Sequence, residues 1–216
     1  MLFPAPTEYR KIDAAPVRFE NGYLRVPAET FEDLAFAAFR DASHLLRADH
    51  LRALRAVFDD PSSSANERFV AVQLLKNANV ASGMVLPLCQ DTGTAVVLGE
   101  KGHLVLTDGE EAAAVERGIK KAYATLNLRY SQNAPTSFFT ERNTGDNLPA
   151  QIDLTAAKGN EYRFLMIAKG GGSANKTYLF QQTRALLNKP ALISFLLEKI
   201  REIGTAACPP YHLAVV

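Results

Sequence analysis

The sequence lacks the features that mark several classes of protein. It has only two cysteines, Cys89 and Cys208, which are too few for a disulfide scaffold. It has no strong excess of one charge, because 24 basic residues balance 23 acidic ones, which argues against a protein that coats nucleic acid or an anionic membrane. No apolar run approaches the ~18 residues of a membrane-spanning helix. The N-terminal stretch MLFPAPTEYR shows no basic patch followed by an apolar core, so we expect a cytoplasmic protein without a secretory signal.

What is present is the composition of a globular protein, with 47% hydrophobic and 22% charged residues. Helical periodicity dominates from residue 30 to about residue 80, and strand-like runs then follow in adjacent pairs rather than in alternation with helices. This order predicts an α+β fold, in which a helical N-terminal layer packs on a small mixed β-sheet. Residues 1–29 carry four prolines and are predicted to form an extended arm, ahead of one domain over residues 30–216.

Capping residues predict where several helices begin. Thr30 can cap the first helix, the stretch Ser64–Glu67 is a capping box, and Asp108 together with Glu111 makes another helix start. Pro190 suits the first turn of the last helix. The buried stripe predicted for that helix is Ile193, Leu196, Leu197 and Ile200, and the apolar face predicted for the helix that starts near Asp108 is Val115, Ile119, Ala122 and Leu126.

Two pairs of β-prone runs are predicted to form hairpins. One pair is Thr94–Leu98 with His103–Leu106, and the other runs from residue 152 through a turn at 158–160 to residue 168. The segment His212–Val216 reads as an interior strand, yet the chain stops there, which suggests a truncated chain or one segment of a larger protein. A genuine C-terminal strand is the alternative.

Three segments combine side chains that could carry chemistry. Leu86–Thr94 groups a thiol, an amide, a carboxylate and two hydroxyls around a glycine, although its cysteine could be a buried thiol and its Asp-Thr-Gly a turn. Lys169–Thr177 is a near miss of the phosphate-binding loop, with three glycines ahead of a helix predicted from about Asn175, and favours an anion over a mere linker. Gly204–His212 holds Cys208 in a stiff turn beside two prolines.

The remaining polar residues give weaker signals. The stretch Asn127–Pro149 shows no periodicity, and a loop of this length inside a compact domain tends to be functional or wrongly assigned. Its arginines, Arg129 and Arg142, become interesting only beside carboxylates or an anionic ligand. The histidines show no metal-binding pattern, and His44 and His50 are expected at the surface.

The chain resembles class I fumarases, iron–sulfur hydro-lyases related to the α subunit of L(+)-tartrate dehydratase. The resemblance covers most of the chain from about Phe31 onward, and the matching motifs occur in the family's order. They are LPLCQDTGT, NLRYSQNAP, NTGDNLPAQIDL, KGGGSANKT and GTAACPPYHLAVV. The strings KGGGSANKTYL and TAACPPYH favour the single-chain fumarase over the two-subunit dehydratase.

The resemblance implies a [4Fe–4S] cluster that is held by three cysteines and leaves one iron open to substrate. Cys89 and Cys208 match the first two ligands, and the sequence has no further cysteine for the third. The family's second domain, which supplies the proton-abstracting base, is also absent. We therefore expect residues 30–216 to be most of an N-terminal cluster-binding domain that is inactive alone.

The resemblance also implies the substrate and its contacts. The reaction is the interconversion of L-malate and fumarate, in a cytoplasmic homodimer that needs the rest of the same enzyme and involves neither nucleic acid nor membrane. Asp91 would handle the proton of the departing hydroxyl or only orient its neighbours. The substrate contacts are Gln90, Asp91, Arg129 and the backbone of Gly172. The alternatives are a non-catalytic anion- or nucleotide-binding domain built on KGGGSANKT, and a subunit like that of tartrate dehydratase.

Overall fold

A computed structural model of the chain describes residues 11–89, 93–170, 176–204 and 213–216. The chain divides into two compact units, residues 1–169 and residues 170–216. Of the sequence-predicted site residues, Gln90, Asp91, Gly172 and Cys208 lie outside the described residues.

The first unit contains four α-helices and eight strands among its described residues. The helices are α1 (Ala28–His44), α2 (Ala48–Asp59), α3 (Ala65–Ala81) and α4 (Glu111–Thr125). The strands are β1 (Arg18–Glu20), β2 (Tyr23–Arg25), β3 (Thr94–Gly102), β4 (Val105–Leu106), β5 (Asn133–Pro135), β6 (Glu141–Asn143), β7 (Gln151–Ala157) and β8 (Tyr162–Lys169). None of the helices described is long and apolar enough to cross a membrane.

The central sheet is small and mixed, as the sequence predicts. Its order is β7-β3-β8, with β3 parallel to β7 and antiparallel to β8. The burial of β3 alternates, so that Ala95 and Val97 face the core while their neighbours are partly exposed. The aromatic ring of Phe31 on α1 packs edge-on against Tyr162 and Phe164 of β8, with ring centroids 5.5 and 5.9 Å apart. The α+β fold class is therefore confirmed.

Both predicted hairpins are wrong, because β3 takes different partners. The strand β4 leaves β3 and pairs in parallel with β2, which itself pairs with β1. The strands β7 and β8 flank β3 instead of pairing with each other, and the connection between them passes over the end of β3. Gly102 permits this crossing, because a Cβ there would collide with the Gly159 carbonyl oxygen. Hairpin prediction from turn residues cannot detect a third strand that inserts between two sequence neighbours.

Helices α1 and α4 cross at very short range over a common core. Gly118 of α4 lies so close to α1 that a Cβ would clash with the Glu32 carbonyl oxygen and lie 2.8 Å from the Ala35 Cβ. Around this crossing Phe39, Val115 and Ile119 are buried. The predicted apolar face of α4 is thus confirmed, and the glycine sets how closely the two helices approach.

Two of the predicted helix starts are shifted. The α1 helix begins at residue 28 after Pro27, and the hydroxyl of Thr30 donates instead to the Ala15 carbonyl oxygen at 2.9 Å. The α4 helix begins without a side-chain cap. The capping box of α3 is confirmed, since the Ser64 hydroxyl accepts from the Glu67 N–H and the Glu67 carboxylate accepts from the Ser64 N–H.

Among the described residues of the second unit there is one α-helix, α5 (Lys189–Ile203), and a 3-10 turn precedes it at Arg184–Leu186. Asn188 caps α5 by accepting from the Ala191 N–H at 3.0 Å, and Pro190 lies in its first turn, as predicted. Residues 176–183 are not helical and residues 213–216 are not a strand, so both predictions are wrong over the described residues. The predicted buried stripe of α5 is also wrong, because none of its residues is buried.

Candidate active site

The backbone around Cys89 is held by contacts with two helices, α1 and α3. The Cys89 N–H donates to the Asn77 Oδ1 on α3 at 2.8 Å, and the Leu88 N–H donates to the Ser43 carbonyl oxygen on α1 at 2.8 Å. The Leu88 side chain is buried in a small cluster with Ala78 and other residues of α3. The Cys89 thiol itself is free and exposed. The fold therefore presents a thiol at the surface on a backbone that cannot shift easily.

Arg129 lies directly beside this cysteine. Its Nη2 donates to the Cys89 carbonyl oxygen at 2.5 Å, although the two residues are 40 positions apart. The chain reverses after α4 at Asn127, whose φ of 57° is left-handed, and Leu128 is buried as an anchor. The turn and the anchor together direct the arginine toward Cys89. Of the sequence-predicted site residues, the structure thus brings Cys89 and Arg129 together.

The long stretch 127–149 is an ordered loop that contains the β5–β6 hairpin. Asn147 is completely buried, and its Nδ2 donates to the Gly93 carbonyl oxygen at 2.9 Å. The hydroxyl of Thr94 donates to the Gln132 Oε1 at 2.9 Å. These contacts tie the loop to the segment that follows the Gln90-Asp91 pair. The stretch is therefore not a structureless loop, because it contains the two short strands β5 and β6.

Titration shifts in this first unit occur mainly where carboxylates are held by hydrogen bonds. Burial alone raises the pKa of Asp146, but the Leu148 N–H and the Lys120 ammonium lower it below its usual range. A second polar cluster lies at the far end of β3. Burial raises the pKa of Glu111, and hydrogen bonds from Lys101 and Thr107 outweigh that effect and lower it.

Burial, with the Glu111 charge as a smaller cause, raises the pKa of Tyr162 to about 12. The Tyr162 ring also lies under the Lys101 ammonium, 6.0 Å from its centroid. These groups stabilise the fold at the end of the sheet opposite to Gly93 and Thr94.

A metal centre would need donors beyond those described. Within residues 11–89, 93–170, 176–204 and 213–216, no group of three His, Cys, Asp or Glu side chains could hold a metal ion. The Cys89 thiol fits the role of one iron ligand, because it is exposed, unpaired with another thiol and set on a fixed backbone. The second expected ligand, Cys208, lies outside the described residues.

Sequence reasoning missed several residues that organise this site. Asn77 and Asn147 carried no prediction, although asparagine is a poor helix former inside α3 and tolerates the left-handed backbone found at residue 147. Those two properties were the available signals. His44 was expected at the surface, but it is fully buried, with its Nδ1 2.7 Å from the Arg40 carbonyl oxygen.

Comparison with known proteins gives the family. A family model for fumarate hydratase (Fumerase) matches residues 32–216. The chain belongs to this family. It is 52% identical to fumarate hydratase 2 of Leishmania major across 97% of its length, and 54% identical to the aerobic class I fumarate hydratase of Escherichia coli (strain K12) across 89%.

The chain spans only 38% and 35% of those two fumarate hydratases. A more distant relative is a putative L(+)-tartrate dehydratase subunit alpha of Methanocaldococcus jannaschii, which is 27% identical over 85% of the chain and of which the chain covers 65%. The identity to the fumarate hydratases is about twice as high, which favours them as the nearer relatives of the two kinds.

Proposed function

We propose that this chain is the cluster-binding part of a [4Fe–4S]-dependent hydro-lyase that interconverts L-malate and fumarate. The observation that carries the proposal is the exposed Cys89 thiol on a clamped backbone with Arg129 beside it, in a chain of the fumarate hydratase family. A bound cluster would supply a Lewis-acidic iron for the hydroxyl that leaves malate. Cys89 and Cys208 would hold it, and a third thiolate would come from outside these 216 residues.

The chain's own residues would bind and orient the dicarboxylate. A guanidinium carries five N–H donors in a planar fork, so Arg129 can hold the Cys89 carbonyl and grip a substrate carboxylate as well. We propose Gln90 and the backbone N–H of Gly172 as further carboxylate or hydroxyl contacts. We propose that the Asp91 carboxylate handles the proton of the departing hydroxyl, while the base that removes the carbon-bound proton lies outside this chain.

One observation argues against the alternative of a non-catalytic anion- or nucleotide-binding domain. That alternative depended on a helix that begins at about Asn175, and residues 176–183 are not helical. The other alternative, a subunit like that of tartrate dehydratase, is less favoured by the identities of 52% and 27%. A cytoplasmic location and a homodimer of the whole enzyme stay predictions.

Anaerobic reconstitution with iron and sulfide tests the cluster assignment. We expect the chain to gain the visible absorbance of an iron–sulfur cluster, and expect Cys89→Ser and Cys208→Ser each to lose it. The control is Ser62→Ala, which removes an exposed hydroxyl from the turn between α2 and α3 and should leave reconstitution normal. If both cysteine variants took up as much iron and sulfide as the unchanged chain, the cluster would be bound non-specifically and the assignment would be overturned.

A second experiment tests the substrate contact. Arg129→Lys should weaken the binding of fumarate to the reconstituted chain at least about tenfold, because an ammonium cannot reproduce a bidentate grip. Arg142→Lys is the matched control, since Arg142 is also exposed and lies on the same loop. Equal weakening by both variants would contradict a specific role for Arg129.

Turnover tests whether the 216 residues work alone. We expect almost no fumarate from L-malate, because one missing proton-transfer group typically costs ~10²–10⁴-fold in rate. Turnover comparable to that of a full-length class I fumarate hydratase would show that these residues already contain every essential group.

A further inference from the structure

Asn147 is a buried amide whose every polar atom is used. Its Oδ1 accepts from the Ser131 N–H at 3.1 Å and from the Gln132 N–H at 3.0 Å, and its Nδ2 donates to the Gly93 carbonyl oxygen at 2.9 Å. No part of the side chain is exposed. Only this orientation of the amide satisfies all three partners, because the flipped one would place N–H groups against N–H groups.

These three hydrogen bonds join two segments that are far apart in sequence. Gly93 ends the LPLCQDTG segment, 54 residues before Asn147, and Ser131 and Gln132 follow Arg129 in the loop after α4. The backbone of Asn147 has a φ of 60°, a left-handed conformation that asparagine adopts more readily than most residues. The residue type is therefore suited both to the backbone and to the contacts.

The other links between the two segments are more exposed. The Arg129–Cys89 hydrogen bond is exposed and the Thr94–Gln132 bond is half-buried, as are the two bonds that Asn147 accepts, whereas the bond from Asn147 to the Gly93 carbonyl oxygen is buried. Hydrogen bonds that are shielded from water are harder to replace, because a lost partner leaves a buried polar group unpaired. Asn147 is thus the link whose removal should loosen the two segments most.

We propose that Asn147 is a positioning residue that holds the Arg129 segment in register with Gly93, the residue that leads into β3. It acts through the N–H groups of Ser131 and Gln132 and through the Gly93 carbonyl, and it does not itself touch a ligand. The inference rests on the proposed function for what the two segments would bind. The positioning itself is a property of this chain without cluster or substrate.

Two variants separate the contacts. Asn147→Asp keeps an isosteric side chain and the two accepted hydrogen bonds but sets an oxygen against the Gly93 carbonyl. Asn147→Gly keeps the left-handed backbone and removes all three contacts. The matched controls are Asn21→Asp and Asn21→Gly, because Asn21 also has a positive φ of 52° but lies in the exposed turn between β1 and β2.

The readouts are nuclear magnetic resonance signals of the 216-residue chain. In Asn147→Gly we expect the N–H groups of Ser131 and Gln132 to exchange about tenfold faster, as for one lost hydrogen bond of ordinary strength. We expect the Arg129 guanidinium signal to broaden into exchange with water. In Asn147→Asp the two N–H groups should stay protected while the Gly93 carbonyl shift changes. The Asn21 variants should leave all these signals unchanged.

An Arg129 signal that stays unchanged in a folded Asn147→Gly variant would overturn the inference and leave only a structural role. Loss of folding in both Asn147 variants would overturn it equally. These readouts require no cluster and no turnover, so the chain can fail to bind iron while the positioning result stands. Failure of the proposed function and failure of this inference are therefore distinguishable.

Discussion

Two helices of equal length in this protein have opposite environments. Helix α4 and helix α5 each have 15 residues and an apolar stripe at helical spacing. In α4 seven residues are buried, among them Ile119 at 0% exposure, whereas in α5 none is buried and Ile193 is 46% exposed. Periodicity therefore predicts which face of a helix is apolar, but it does not tell whether anything covers that face.

An apolar helix face becomes buried only when another element, often distant in sequence, packs against it. Helix α4 is covered by α1, which lies some 80 residues earlier, at a crossing that Gly118 makes very close. Among the described residues of the second unit, nothing buries the stripe of α5. Equal patterns should therefore carry unequal stability, and the following changes test that difference.

The largest effect is expected from matched truncations in the two helices. Ile119→Ala should lower the free energy of unfolding by about 2–5 kcal/mol, because it opens a cavity in a closed core. Ile193→Ala should change it by less than about 0.5 kcal/mol, since its side chain is already half in water. Urea unfolding measures both. A cost for Ile193→Ala as large as that for Ile119→Ala would show that the stripe of α5 is covered in solution.

A smaller loss is expected at the helix crossing. Gly118→Ala should destabilise the chain by about 1–3 kcal/mol, because the added methyl group clashes with α1. Helix propensity alone would give the opposite sign, a gain of about 1 kcal/mol. The reverse change Ala124→Gly, on the exposed side of the same helix, measures that propensity separately. Stabilisation by Gly118→Ala would mean that the two helices do not pack as closely as the structure shows.

The capping residues of α3 and α5 should also differ in their effect on the free energy of unfolding, by about 1 kcal/mol. Ser64→Ala removes the cap of α3 and should cost that amount of unfolding free energy. Asn188→Ala removes the cap of α5 and should instead fray the first turn of that helix, with little change in the global transition. Hydrogen exchange resolved by residue distinguishes local from global loss. Equal global losses would place both helices in one cooperative unit.

The smallest effect is a pH dependence at the Lys101–Glu111 pair. The folded-state pKa of Glu111 lies below its ordinary value of 4.5, so its contribution to stability is present above that pH and is lost as the pH falls through the lower, folded-state pKa. Because Lys101 is partly exposed, the contribution should not exceed about 1 kcal/mol. Glu111→Gln should flatten the stability curve below pH 4.5, measured by urea unfolding. The matched control is Glu110→Gln, because Glu110 is exposed and makes no side-chain capping hydrogen bond. An unaltered slope in Glu111→Gln would contradict the assignment.

The sequence predicted those residues of the candidate site that belong to continuous motifs. The segment with Cys89 and the segment with Arg129 both stand out as strings of residues, and the structure joins them by a hydrogen bond. Asn77 lies in no recognised motif, and Asn147 lies inside NTGDNLPAQIDL without a predicted role, because both act through hydrogen bonds to backbone that is distant in sequence. No local pattern encodes such a bond.

Local rules determined the fold class, the capping box at Ser64, the cap and first turn of α5, and the apolar face of α4. Each of these depends on residues within one or two helical turns, so the sequence contains the whole cause. Tertiary structure decided that β3 lies between β7 and β8, that Thr30 bonds to Ala15 and that His44 is buried. Each of these outcomes depends on which distant segment packs against the residue or strand. That choice is made by burial and backbone hydrogen bonding in the packed chain, so the local sequence does not contain it.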